Sequence, residues 1–373
     1  MAKPRLRVNA RALVNPRRRY KNSQTPQRSP PLSLVFPYST PPAPGEALEV
    51  AEGVLWLRLP LPFRLDHVNV YLIEDGAGFA LLDTGIDDEP TRALWQRLLK
   101  GLLQDKPLTR IVSSHCHPDH IGLAGWLNQR LGIELYASQT EYLETLTISL
   151  DPSALDAEPY RSFYRGHGLD AAQTDLLLSR GLHYLRMVSP LPRTFNRLMA
   201  DETLEIGGRT FDVLTGGGHS PEQVMLYCRD GGFILSADQV MAKISPNISV
   251  EAIGPNDDPL GAYLRSLGRL KQLLPPDTLA LPGHNLPFRG LPTRIDELIA
   301  HHEARCDAVL KAVSAGEASA AALVPVVFGR QIDDPHQMSF AFGETLAHVN
   351  YLVRRKALAI RPGRDGALSL IEA

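Results

Sequence analysis

The chain has 373 residues, 44% of them hydrophobic, which is enough for a large core in one large or two smaller domains. Three cysteines (Cys116, Cys228, Cys306) lie far apart with no C-x-x-C pair, and no apolar leader or run of 18 apolar residues occurs. That argues against a disulfide framework, a cysteine-rich zinc site, a secretory signal and a membrane span, and predicts a cytoplasmic protein.

The net charge of −2 is unevenly distributed. Residues 1–45 hold nine Lys and Arg and no Asp or Glu, leaving 30 basic against 41 acidic side chains beyond them. Frequent Pro and missing apolar periodicity predict a disordered basic tail over 1–45. Its composition is that of a dispensable extension, an organelle transit peptide or a basic nucleic-acid arm. The acidic remainder is a poor generic polyanion binder.

After the tail, "VLWLRLPL" predicts a strand, and "HVNVYLIEDGAGFALLDTG" a hairpin of two apolar runs around a Gly-containing turn. "TRALWQRLLKGLL" follows with Leu94, Trp95, Leu98, Leu99 and Leu102 at helical spacing. The short strand "RIVSS" then ends where "HCHPDH" begins, and "GLAGWLNQRL" reads as a helix. The histidine cluster therefore falls in a loop between a strand end and a helix start, where α/β folds place chemistry. Residues 155–199 read as a polar helical insertion over the site. A second hairpin, "QVMLYCRDGGFILSADQV", echoes the first, with Asp238 at its end where Asp83 ends the other. Two similar half-units are expected. "DPLGAYLRSLGRLKQLL" is a helix stopped by Pro275 and Pro276, and the strand "TLALPGHN" delivers His284 at a turn. From 301 onward, helices and a terminal hairpin outline a winged-helix-like domain, with "LAHVNYLVRR" in the position of a recognition helix. The division expected is thus a tail over 1–45, a catalytic domain over 46–300 and a winged-helix-like domain over 301–373.

Within H-x-H-x-D-H, alternate residues of an extended segment point the same way, so His115 and His117 can face one ion while Asp119 and His120 reach a second. His219 in "TGGGHS", Asp238 in "LSADQ" and His284 in "LPGHN" stand at strand ends or glycine turns. Glycine beside a ligand allows a tight turn and an open approach. The constellation is seven residues, which is hard to reconcile with chance placement. Cys116, between two of them, should point away and read as buried and passive. His67 reads as a strand histidine bonded to a loop. His167, His183, His301, His302, His336 and His348 read as surface or helix-face residues.

With these motifs the chain resembles the metallo-beta-lactamase superfamily of hydrolases, over about Val54 to Ile299. The resemblance implies a four-layer αββα sandwich of two related halves with a dinuclear site at one edge. It assigns His115, His117 and His219 to one zinc, Asp119, His120 and His284 to the other, and Asp238 to a bridge between them. Asp83 in "LLDTG" would orient a ligand histidine. Two zinc ions in such a site share a water and hold it as hydroxide, and Asp119 is placed to carry its proton. Histidine at 117, where flavodiiron relatives carry glutamate, favours zinc, although imidazole and carboxylate donors also suit iron or manganese.

The overall layout resembles the lactamase-beta-like protein 2 subgroup, whose winged-helix-like tail caps the catalytic domain, and glyoxalase II relatives point to a small ester, thioester or lactone substrate. Rival readings are a metal-dependent ribonuclease or phosphodiesterase, a mono-iron persulfide dioxygenase-like enzyme, and a DNA-binding protein with a vestigial site. Arg161, Tyr164 and Arg165 in the insertion read either as partners for an anionic substrate group or as a solvated helix face. No membrane partner is expected, a nucleic-acid partner is disfavoured by the acidic body, and nothing in the pattern sets an oligomeric state.

Overall fold

Alternation along the strands divides their side chains between two cores, and this builds the layers. In β2 (Val54–Pro60), β3 (His67–Asp75) and β4 (Gly78–Leu82), residues Leu57, Leu59, Val68, Val70, Leu72, Phe79 and Leu81 enter one core. Their neighbours Val54, Trp56, Tyr71, Ile73, Ala80 and Leu82 enter another. A strand buried on both faces reads as a continuous apolar run, so this sheet must be covered on both sides.

A computed structural model describes residues 33–150, 157–316, 318–363 and 367–373. The first sheet is seven-stranded and keeps sequence order: β1 (Leu48–Ala51), β2, β3, β4, β5 (Leu108–Val112), β6 (Glu134–Ala137) and β7 (Asn196–Arg197). Pairing is antiparallel as far as β4 and parallel from there on. The second sheet holds β8 (Thr203–Ile206), β9 (Arg209–Gly216), β10 (Gln223–Cys228), β11 (Phe233–Ala237) and β12 (Leu279–Pro282), with only β11 and β12 parallel. Val224, Leu226, Phe233, Leu235, Leu279 and Leu281 meet the first sheet's Trp56 and Tyr71 in the shared core.

Helices close both outer faces. α1 (Glu89–Lys100) buries Leu94, Trp95 and Leu98 on the first sheet, beside the one-turn α2 (Pro118–Ile121) and α3 (Ala124–Leu131). It begins where Asp88 accepts the Thr91 N–H at 2.8 Å. α4 (Gln139–Leu150), α5 (Glu158–Gly166) and α6 (Ala171–Arg186) follow. On the far face of the second sheet lie α7 (Pro259–Leu273), α8 (Leu291–Ser314), α9 (Ala320–Phe328) and α10 (Pro335–Arg354), with the hairpin β13 (Leu358–Pro362) and β14 (Leu368–Glu372). The result is the αββα sandwich. Each fully buried Leu, Ile or Phe contributes about 1.5–3 kcal/mol, so these three cores supply the main favourable term of folding.

The two halves repeat one plan. Hairpin β3–β4, helix α1 and parallel strand β5 match hairpin β10–β11, helix α7 and parallel strand β12. Asp83 and Asp238 follow the paired hairpins, and His115 and His284 follow the paired parallel strands.

Several expectations are refined. Residues 1–32 of the basic tail, and 151–156, lie outside the described residues. Residues 33–45 do not continue the expected disorder: Val35 exchanges backbone hydrogen bonds with Arg289 at 3.1 and 2.8 Å, and the Tyr38 hydroxyl donates to Val50 O at 2.9 Å. The insertion returns to the first sheet as β7 against β6. α8 runs unbroken across residues 300 and 301. On α10, Leu346, Ala347, Val349 and Leu352 are buried, so this helix packs against the body. Among the described residues, no helix is long and apolar enough to cross a membrane.

Candidate metal centre

Five residues of the constellation follow strand ends and two lie on a one-turn helix, and the fold brings all seven together. His115 and His117 follow β5, Asp119 and His120 lie on α2, His219 follows β9, Asp238 follows β11 and His284 follows β12. Asp119 and His120 thus sit on a helical turn rather than in an extended loop, with Pro118 in its first turn. Three sets form, each with one donor atom per residue within 4.8 Å of the others: His115, His117 and His219; His115, His120 and Asp238; Asp119, His120 and His284. Asp238 lies between them, Oδ2 being 3.3 Å from both His219 Nε2 and His284 Nε2, and Oδ1 3.6 Å from His120 Nε2.

Three imidazoles are fixed in one tautomer by partners that can only accept. His120 Nδ1 donates to Asp83 Oδ2 at 2.8 Å, His219 Nδ1 to Asn247 O at 2.8 Å, and His284 Nδ1 to His67 O at 2.7 Å. The other nitrogen, Nε2, is turned into the cluster in each case. His120 Nε2, His219 Nε2 and Asp238 Oδ1 are buried without a hydrogen-bond partner. Orphaned donor atoms of this kind are costly unless something binds them. The atoms present suit a divalent metal: imidazole nitrogens and carboxylate oxygens, close together and buried.

The electrostatics separate the histidines into two kinds. Burial, followed by the neighbouring His120, pulls His115 well below its ordinary value, and burial with His219 pulls His117 down to about 3. Burial opposes charge at His284 too, but Asp238 and Asp119 overcome it and raise it to about 10. Asp119, Asp238 and Asp83 likewise raise His120. Their positive charge holds the Asp119 and Asp238 carboxyls well below the usual carboxylate range against their own burial.

Space at the centre depends on glycine. A Cβ on Gly283 would stand 2.3 Å from Asp238 Oδ1 and 2.8 Å from His120 Cε1. Gly218, beside His219, adopts φ +114° with Tyr263 Cβ 2.5 Å from where its own Cβ would be.

The surrounding support includes groups with no signal in the sequence. The buried Glu141 on α4 accepts the Cys116 N–H at 2.9 Å through Oε2. Its Oε1 accepts the Ser220 hydroxyl at 2.7 Å and the Glu222 N–H at 2.6 Å. One carboxylate therefore ties the His115–His117 segment to the His219 segment. Tyr184 on α6 donates to Cys116 O at 2.6 Å, so the insertion does touch the ligand segment. Cys116 itself is buried, and burial and Glu141 push its thiol well up, as a passive residue requires. His67 accepts the Asn285 N–H at 3.0 Å, the strand-to-loop role read from sequence.

Of the insertion candidates, Arg161 pairs with Asp175, Tyr164 is buried 6.1 Å from the Phe342 ring of α10, and Arg165 is exposed. His167, His302 and His348, read as surface or helix-face residues, are buried; His302 packs against the Tyr263 ring of α7 and the His348 ring of α10. His183 and His301 are exposed, and the side chain of His336 lies outside the described residues.

Residues 63–284 match the metallo-beta-lactamase superfamily, which is more than half of the chain. The chain belongs to that superfamily. Residues 306–370 match the metallo-beta-lactamase-like C-terminal domain. The superfamily relative "Probable metallo-hydrolase YqjP" of Bacillus subtilis (strain 168) is 26% identical over 320 residues, covering 82% of this chain and 94% of that protein. Among solved structures, a beta-lactamase domain protein from Burkholderia ambifaria is 39% identical with a TM-score of 0.83, covering 91% of this chain and 97% of its own. The metallo-beta-lactamase family protein TTHA1429 from Thermus thermophilus is 29% identical with a TM-score of 0.73, covering 87% and 100%. The chain is a metallo-hydrolase of this superfamily, with clustered His and Asp side chains suited to a divalent metal.

Proposed function

We propose that the chain is a zinc-dependent, two-metal hydrolase of small esters, thioesters or lactones. The observation that carries this reading is the arrangement of orphaned atoms: His120 Nε2, His219 Nε2 and Asp238 Oδ1 are buried and unpartnered, with His120 Nε2 3.6 Å from Asp238 Oδ1 and His219 Nε2 3.3 Å from Asp238 Oδ2. His115, His117 and His219 would hold one ion, Asp119, His120 and His284 the other, and Asp238 both. Bound zinc supplies a Lewis acid for the substrate's polarised oxygen and a lowered pKa for water.

The protein's own groups do the rest. Asp83, Asn247 and His67 fix three ligand rings through Nδ1. Asp119, with 20% of its side chain exposed and Oδ2 3.2 Å from His284 Nε2, is the carboxylate at the open side of the cluster. It is placed to take a proton at that oxygen or hand one over. Arg165, exposed at the end of α5, is the insertion residue proposed to meet a substrate anion.

An acidic body supports a small substrate over a nucleic acid, because a protein gripping several phosphates needs a basic stripe. Residues from 301 onward are read as the winged-helix-like module, and three buried free cysteines suit a cytoplasmic setting. The test is turnover of zinc-loaded protein on thioester, lactone and ester panels beside phosphodiesters and single-stranded RNA, with a metal-depleted control. Metal-dependent acyl hydrolysis supports the reading. Efficient RNA cleavage at moderate salt with every acyl substrate ignored assigns the site to a nuclease.

A further inference from the structure

We propose that α10 is a positioning element for His219: it holds the segment after Asp238 in the one conformation whose Asn247 carbonyl orients the ring. The inference rests on the reading of His219 as a metal ligand and adds the C-terminal helix to the support of that ligand.

Residues 239–258 connect β11 to α7 without regular strand or helix, so their conformation must be set from outside. Arg294 of α8 holds the first part, donating to Met241 O at 2.8 Å and Ile244 O at 3.1 Å, and α10 holds residues 247–257. Asn247 Nδ2 donates to Glu344 Oε2 at 3.2 Å and to Phe340 O at 3.3 Å. The Val250 N–H donates to Gly343 O at 3.1 Å. Asn350 Nδ2 donates to Pro255 O at 3.0 Å and Asp257 O at 2.9 Å, and Arg354 donates to Asn256 O at 2.9 Å. The approach is too close for a side chain at residue 343, where a Cβ would stand 2.7 Å from Ser249 Oγ and 3.0 Å from Ser249 Cβ.

Glu344 is the anchor. It is buried, and it also pairs with Arg305 of α8, whose guanidinium lies 4.5 Å from the Phe328 ring of α9. His301 and His302 stand with Glu344 in a group that could hold a metal. Arg305 and Asn247 engage both carboxylate oxygens, however, and the guanidinium repels a cation there. The carboxylate belongs to the strap rather than to a further metal.

The consequence at the metal centre is geometric. A carbonyl can only accept, so Asn247 O holds the proton on His219 Nδ1 and presents Nε2, 3.3 Å from Asp238 Oδ2. If the segment slackens, the ring loses both its tautomer and its direction, and the His115, His117 and His219 set loses one donor.

Asn247→Ala keeps the carbonyl and removes the side-chain bonds to Phe340 O and Glu344 of α10, and Gly343→Ala keeps those bonds and pushes the segment away. Zinc affinity of each variant is measured by chelator competition, and the ligand field by cobalt(II) absorption. His219→Ala marks loss of the ligand, and Leu98→Ala, a core change on α1 far from the strap, marks loss of stability alone. The expected result is one of two zinc affinities weakened about 10- to 100-fold in both strap variants, with an altered cobalt spectrum, as in His219→Ala, while Leu98→Ala lowers Tm and leaves both affinities in place. Wild-type affinities and spectra in both strap variants, with His219→Ala impaired, overturn the role of α10. Wild-type affinities in His219→Ala overturn the ligand reading itself, and the inference with it.

Discussion

Asp83 Oδ2 accepts a hydrogen bond from His120 Nδ1 at 2.8 Å, joining the end of β4 to α2 across 37 residues. The same carboxylate accepts the Ser114 N–H at 2.7 Å through Oδ1 and the Ser114 hydroxyl at 2.8 Å through Oδ2. Asp83 reaches these partners from φ 63°, a left-handed position for a residue with a Cβ. Ala237, before Asp238, and Asn285, after His284, share that strain at φ 42° and 67°. Each such residue costs about 1–3 kcal/mol, and three at the ligand-bearing strand ends point to a centre selected for geometry over stability.

Replacing Asp83 with asparagine should weaken zinc binding about 10- to 100-fold, because the amide places an N–H donor where Ser114 and His120 need acceptors. Chelator competition measures this. Wild-type affinity in Asp83→Asn would show that His120 orients without it.

Gly283→Ala should cost at least about tenfold in zinc affinity while the metal-free fold persists, since the added Cβ collides with Asp238 Oδ1 and His120 Cε1. Near-UV circular dichroism of the metal-free protein checks the fold. Equal affinity in the variant would mean that Asp238 is free to move aside.

Glu141→Gln should lower the stability of the metal-free protein by about 1–3 kcal/mol in urea unfolding. Glutamine offers one acceptor oxygen and turns an NH2 toward either the Cys116 N–H or the Ser220 and Glu222 donors. An unchanged midpoint would contradict the tie drawn between the two ligand segments.

The sandwich was legible in the sequence because both hairpins are apolar on both faces and end in an aspartate, and because H-x-H-x-D-H follows a strand. All seven expected ligand residues meet in space. The supports were harder to read. Asn247 acts through its backbone carbonyl, which leaves no mark on residue type, and Glu141 is one glutamate on an ordinary helix pattern. β7 is two residues long, too short to show alternation. His302 and His348 looked like helix-face residues because the apolar surface that buries them comes from other helices.

Those two histidines give the protein an acid-sensitive element. His302 Nδ1 lies 3.2 Å from His348 Nε2, and His348 Nδ1 donates to Glu344 O at 2.7 Å. Burial, then His348 and the adjacent His301 and Arg305, hold His302 down at about 2, and burial holds His348 down at about 4. Both stay neutral when folded and take a proton when unfolded near the ordinary 6.5. Their stabilisation is complete above that value and is lost as pH falls toward 4. Tm of the metal-free protein should therefore drop between pH 7 and 5, and less steeply in a His302→Gln, His348→Gln double variant. Identical slopes in the two proteins would contradict this assignment.

A two-metal centre bridged by Asp238 is tested most directly by zinc per chain, measured by elemental analysis after loading and desalting, for wild type and Asp238→Ala. About two zinc ions per chain are expected in wild type, and at least one fewer in the variant. One ion or none in wild type, or two retained in Asp238→Ala, would contradict it.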